Sequence, residues 1–168
     1  MLRTTPSRAR ASRSGLWIRS GQAADASACA AVMRSAIRAK RPIHHPARAL
    51  AAWASLPPLY HRWAMGPGGE SYLLAERGGR VQGYAALRGR ELTAAFVRPA
   101  AQGRGVGRAL VAAAARAARR AGQRELRVLA AREAAGFYAS IGFYSCGRAR
   151  LPLPGGLELA AVRMRLRL

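Results

Sequence analysis

A short strand that runs through three closely spaced glycines straight into a helix is the feature that most restricts how this chain can fold. The stretch is "FVRPAAQGRGVGRALVAAAARAARR", residues 96–120. Glycine tolerates positive φ and lacks the Cβ that would hold a ligand away from the backbone amides. Helix N-termini carry spare N–H donors and a partial positive charge. Arg104 and Arg108 add forked, permanently charged donors beside them. Gln102, Gly103, Arg104, Gly105, Val106, Gly107 and Arg108 can therefore cradle a phosphate. A tight strand-to-helix turn, with glycine needed only for packing, accounts for the glycines equally well. On a helical wheel Leu110, Val111, Ala114, Ala118 and Ala121 share one side, and Arg108, Arg116, Arg119 and Arg120 the other. Gly122 then stops the helix.

The elements around this unit read in order. "LWIRS" (residues 16–20) is a strand, followed by a helix that Asp25 can cap, with Ala28, Val32, Ser35 and Ala36 near one face. A second helix spans residues 46–55 and is ended by Pro57 and Pro58. "ESYLLAERGGRVQGYAAL" is two β-type runs meeting at Gly78-Gly79, a hairpin signal. A turn at residues 88–90 leads into "ELTAAFV". After the glycine-led helix come the strand "ELRVLA", a short helix ending at Gly142, the strand "FYSCGRAR", a loop "LPLPGG" and the closing strand "LELAAVRMRLRL". The sum, β-α-α-β-β-β-α-β-α-β-β, predicts an α+β sandwich around a central sheet.

One domain is expected of 168 residues. Residues 1–15 are rich in Arg and Ser and contain no acid, which predicts a disordered basic tail ahead of a single domain at residues 16–168. The formal charge is +22, and Lys40 is the only lysine. With so much alanine and glycine, that arginine excess fits a GC-rich coding bias. It also fits attraction for nucleic acid, an acidic substrate or a phosphorylated cofactor. Cys29 and Cys146 are isolated, as expected of small core residues in a reducing cytoplasm. Neither they nor His44, His45 and His61 have the spacing of metal ligands, so no metal site is expected. No apolar run approaches the length of a membrane span.

Three phosphate-binding patterns compete for the glycine stretch. A Walker loop needs Gly-Lys-Ser/Thr, which is absent. A dinucleotide fingerprint needs a third glycine where Arg108 stands, and its acidic residue belongs near the end of the next strand, whereas Glu125 opens it. "QGRGVG" instead matches the Q/R-x-x-G-x-G/A signature of the GNAT superfamily of N-acetyltransferases. "AAGFYASIGF" (residues 134–143) resembles that family's last helix, and "SYLLAERGGRVQGYAAL" its second and third strands. The likeness runs over residues 17–168 and points to a small bacterial subgroup. It implies a three-layer α/β/α sandwich on a mixed, mostly antiparallel sheet of about seven strands. It also implies acetyl-CoA as cosubstrate, held by residues 102–108.

Acetyl transfer to an amine needs an unprotonated amine, a polarised carbonyl and a proton for the departing thiolate. The resemblance places the carbonyl donors on the backbone of Phe96 and Val97 and the acid at Tyr138. It offers Glu91 as base, with a water path as the other possibility. Many members carry Asn or Ser seven residues before the tyrosine, where Ala131 stands here. His44, His45, Trp53, Tyr60 and Trp63 lie in the segment that borders the acceptor pocket in this fold, although Trp53 suits a core position equally. No cysteine sits where a nucleophile would, so the expected reaction is direct transfer to a primary amine in a ternary complex. The other reading is a non-catalytic GNAT fold that binds nucleic acid or senses CoA. It lacks the stripe of aromatics interleaved with arginines on which nucleic acid would stack. The expected partner is an amine acceptor, with no membrane, and the chain acts as a monomer or homodimer.

Overall fold

The computed structural model describes residues 15–40, 43 and 45–168. The basic tail expected at the N-terminus falls, apart from Gly15, outside them. Seven strands are present among the described residues: β1 (Trp17–Ser20), β2 (Ser71–Arg77), β3 (Arg80–Arg88), β4 (Glu91–Val97), β5 (Glu125–Ala131), β6 (Tyr144–Pro152) and β7 (Glu158–Arg167). They form one sheet in the order β1-β2-β3-β4-β5-β7-β6. Every neighbouring pair is antiparallel except β4 and β5. The helices are α1 (Ala26–Arg38), α2 (Ala47–Ala54), α3 (Pro58–Met65), α4 (Val106–Arg120) and α5 (Ala135–Ser140). The expected α+β sandwich and its mixed sheet are found.

Alternation along the strands sorts the two faces. Tyr72, Leu74, Tyr84, Ala86 and Phe96 pack against α1, α2 and α3. Ala75, Ala85, Leu87 and Leu92 turn the other way, against Leu110, Val111, Ala114 and Ala118 of α4. Leu110 is fully buried, so truncation to alanine there would cost about 2–5 kcal/mol. The small Ala114 and Ala118 let α4 lie close on the sheet. Its charged side follows the wheel, except that Ala121 is exposed at the helix end. A smaller cluster of Ala49, Leu153 and Leu159 holds α2 to the β6–β7 hairpin.

One helix was not expected. Pro57 and Pro58 do end α2, but Pro58 then occupies the first turn of α3. There proline removes no needed hydrogen bond and its fixed φ suits the helix. α3 carries Tyr60 and the fully buried His61.

The pairing of β4 with β5 is short. It holds at Glu91↔Arg127 and Leu92↔Val128 and goes no further. Against β3, Leu92 pairs with Leu87 and Ala94 with Ala86, so Thr93 is an extra residue. Such a bulge bends its strand and increases the local twist. The bend falls where β4 leaves β5, and the sheet opens into a cleft there.

Candidate active site

The cleft is a cavity of about 590 Å³ walled by the parted strands, from Leu92 to Val97 on one side and from Val128 to Ala131 on the other. α1 contributes Met33 and Ala36, α2 and α3 contribute Trp53 and Tyr60, and Tyr138 of α5 also lines the cavity. Gln102 lies at its edge, where the glycine turn begins.

That turn has the conformation its glycines allow. Gly103 has φ of 70° and Gly105 of 79°, a region that other L-residues enter only at a cost. Gly105 caps α4, and the first α-helical bond into it comes from the Ala109 amide, 3.0 Å from the Gly105 carbonyl. The amides of residues 103–108 have no hydrogen-bond acceptor among the described residues. Gln102, Gly103, Arg104, Gly105 and Arg108 are exposed, while Val106 is buried and anchors the turn to the core. Exposed amides and a helix N-terminus make a spot suited to an anion, and the exposed Arg104 and Arg108 belong to the same turn.

The ladder separates Phe96 from Val97. Arg98 donates its amide to the Gln82 carbonyl at 2.8 Å, and Tyr84 pairs with Phe96 two residues on. Hydrogen-bonded pairs alternate in an antiparallel ladder, so the Phe96 amide is bonded to β3 and cannot serve as a donor in the cleft. The Ala95 and Val97 main chain faces the open side. Accordingly, Gln102 Nε2 reaches the Val97 carbonyl at 3.1 Å. Of the two expected donors, the Phe96 amide is thus turned to β3, and the amides on the open side are those of Val97 and, one pair down, Ala95. The Phe96 ring still lines the cavity, edge-on to Trp53 at 5.4 Å.

Tyr138 is 5% exposed and sits edge-on between Phe137 and Phe143. Burial pushes its phenol well above the ordinary tyrosine range. Glu91 is not brought to the cleft. Its carboxylate is about half exposed, 4.0 Å from both Arg90 and Arg127, at the end of β4 that is still paired to β5. Ala131 lines the cavity with only a methyl to offer.

The acid in the cleft is Glu70, just before β2. It is 8% exposed and lines the cavity. Burial raises its carboxyl above the ordinary carboxylate range, although Thr93, Arg88 and Tyr72 pull in the opposite direction. Arg88 Nη2 donates to Glu70 Oε1 at 3.1 Å from the solvent side. Tyr72 Oη lies 3.1 Å from His61 Nδ1, and burial lowers the His61 imidazole to about 4, which keeps it neutral. The one sequence clue to Glu70 was a lone acid at the mouth of an apolar strand in a chain with seven acids.

The remaining candidates divide. Trp53 and Tyr60 line the cavity, whereas Trp63 is exposed on α3. His45 Nε2 lies 2.6 Å from Glu133 Oε2, and Lys40 Nζ donates to Glu133 Oε1 at 2.6 Å. That clasp ties the end of α1 and the following loop to the segment after β5. His44 falls outside the described residues. Among them, no helix is long and apolar enough to cross a membrane.

Residues 51–155 match the acetyltransferase (GNAT) domain family, and the chain belongs to that family. No curated protein matches it by sequence. Among solved structures it is similar to a GCN5-related N-acetyltransferase from Rhodopseudomonas palustris, at 28% identity and TM-score 0.83 over 92% of this chain and 97% of that one. It is also similar to a ribosomal-protein-alanine N-acetyltransferase from Brucella melitensis, at 26% identity and TM-score 0.68 over 90% and 99%. A putative acetyltransferase from Salmonella typhimurium, solved with its cofactor acetyl-CoA, shares the fold at 23% identity and TM-score 0.68 over 91% and 94%.

Proposed function

We propose that this GNAT acetyltransferase moves an acetyl group from acetyl-CoA to a primary amine by direct attack within a ternary complex. The observation that carries the reading is the run of amides at residues 103–108, all without acceptors, opening beside the parted strands. Those amides with Arg104 and Arg108 suit a diphosphate, and the cleft leads from them to Val97, Glu70 and Tyr138. When bound, acetyl-CoA supplies a thioester carbon activated for attack by an amine.

Each residue then has a task set by its surroundings. The Val97 amide, on the open side of the ladder, donates to the thioester carbonyl as negative charge grows there. Glu70 takes a proton from the amine as the C–N bond forms, and its raised pKa makes it a stronger base than a solvated carboxylate. The C–S bond breaks, and Tyr138 donates a hydrogen bond to the departing sulfur. Burial keeps that phenol protonated, so it stabilises the thiolate first and passes a proton only as solvent resupplies one. Neither Cys29 nor Cys146 lines the cavity, which supports transfer without an acyl-enzyme.

Calorimetry with acetyl-CoA on folded protein, followed by thiol release with an amine present, tests the reading. Binding should be measurable before any amine is added. Absence of binding would overturn it.

A further inference from the structure

The charge inventory of the cavity narrows the acceptor. We infer that it is a monoamine on an apolar aromatic or alkyl stem that carries no acidic group, an inference that rests on the acetyltransferase reading above. The chain has 29 lysines and arginines, yet among the described residues no arginine lines the cavity and Lys40 is its sole basic residue. Lys40 is engaged with Glu133 at 2.6 Å. A carboxylate or phosphate on the acceptor would enter without a counter-ion, and an unpaired charge in apolar surroundings is strongly disfavoured.

The opposite charge is present once. Glu70 is the sole acid of the lining and shares its charge with Arg88 Nη2 at 3.1 Å on the solvent side, so it can meet at most one ammonium group, short of what a polyamine needs. The same cavity is walled by Met33, Trp53, Leu56, Tyr60, Tyr84 and Phe96. Aromatic faces receive a cationic head and an apolar stem alike. The Trp53, Phe96, Tyr84 and Tyr72 rings pack in a continuous chain with centroids 5.3–5.7 Å apart. A peptide N-terminus would bring several amide and carbonyl groups, of which only those that reach the open edges of β4 and β5 gain a partner; the rest would lose their water against the aromatic walls.

The test uses the full chain with acetyl-CoA and an acceptor panel of phenethylamine, hexylamine, phenylalanine, spermidine and a peptide with N-terminal alanine. Initial rates of thiol release give kcat/KM, and mass spectrometry identifies the acetylated product. Phenethylamine and phenylalanine share a stem and differ by one carboxylate. Phenethylamine should be preferred by roughly a hundredfold or more, with hexylamine also ahead of spermidine and the peptide. Parity between phenethylamine and phenylalanine, a lead for spermidine or the peptide, or no turnover of either monoamine would overturn the inference. Those outcomes are distinct from failure of the acetyltransferase reading, which shows as absence of acetyl-CoA binding before any amine is added.

Discussion

Replacing Glu70 by glutamine separates catalysis from stability. Glutamine keeps the shape of the side chain and an oxygen that can accept from Arg88 Nη2, at 3.1 Å in the native protein. It removes the charge that burial already disfavours. The loss of one charged hydrogen bond and the relief of desolvation oppose each other, so stability should change by no more than about 1 kcal/mol. Activity should fall much further. Loss of a positioned general base costs about 10²–10⁴-fold, or about 3–5 kcal/mol of barrier. The assay is kcat/KM against pH. A base works deprotonated, so in the native enzyme the rate falls as pH drops through the Glu70 pKa, and that limb should lie above the ordinary carboxylate range because the pKa is raised. Glu70→Gln should lack the limb. Glu91→Gln, at a half-exposed site among arginines, should leave both rate and profile as they were. An intact acid limb in Glu70→Gln, or its loss in Glu91→Gln, would refute the assignment of the base.

Tyr138→Phe should bind acetyl-CoA with unchanged affinity and lose about 10–100-fold in kcat, the worth of one hydrogen bond to a charged sulfur; unchanged kcat would remove Tyr138 from the reaction. Gly105→Ala meets no neighbour but must hold φ near 79°, costing about 1–2 kcal/mol of stability and weakening acetyl-CoA binding by calorimetry. Gly122→Ala, with φ of 78° just beyond the far end of α4, should carry the same stability cost and leave that affinity intact. Burial would raise the Glu133 carboxyl, but Lys40 and His45 outweigh it and lower it from 4.5 to about 2. A depressed acid stabilises the fold above its unfolded pKa, so stability should fall as pH drops from 4.5 toward 2, and Glu133→Gln should lose about 1–2 kcal/mol near neutrality by urea unfolding and flatten that slope. Cys29 is fully buried and its thiol is pushed up to about 12; a thiol reagent should therefore titrate only Cys146 in the native protein, and both after denaturation.

How much of this was legible in the sequence depends on whether a feature is local. The strand–glycine–helix unit, the Gly78-Gly79 hairpin and the seven strands are written in nearest-neighbour chemistry and were read correctly. Pro57-Pro58 reads as a stop for α2, but proline in a first turn also starts a helix, and α3 begins there. Glu70 could not be found by spacing, since it meets Thr93 and Arg88 only through the registers of β2, β3 and β4. The choice between Phe96 and Val97 is harder still. Adjacent residues of one strand send their amides to opposite edges, and nothing within "AAFV" says which edge is open. That is decided by where pairing with β5 ends. The extra residue Thr93 sits there, bending β4 away after Leu92↔Val128, and its side chain lines the opening beside Glu70. One bulged residue thus marks where the cleft opens, where the Val97 amide faces it and where Glu70, the proposed base, stands, three consequences of register that no linear pattern carries.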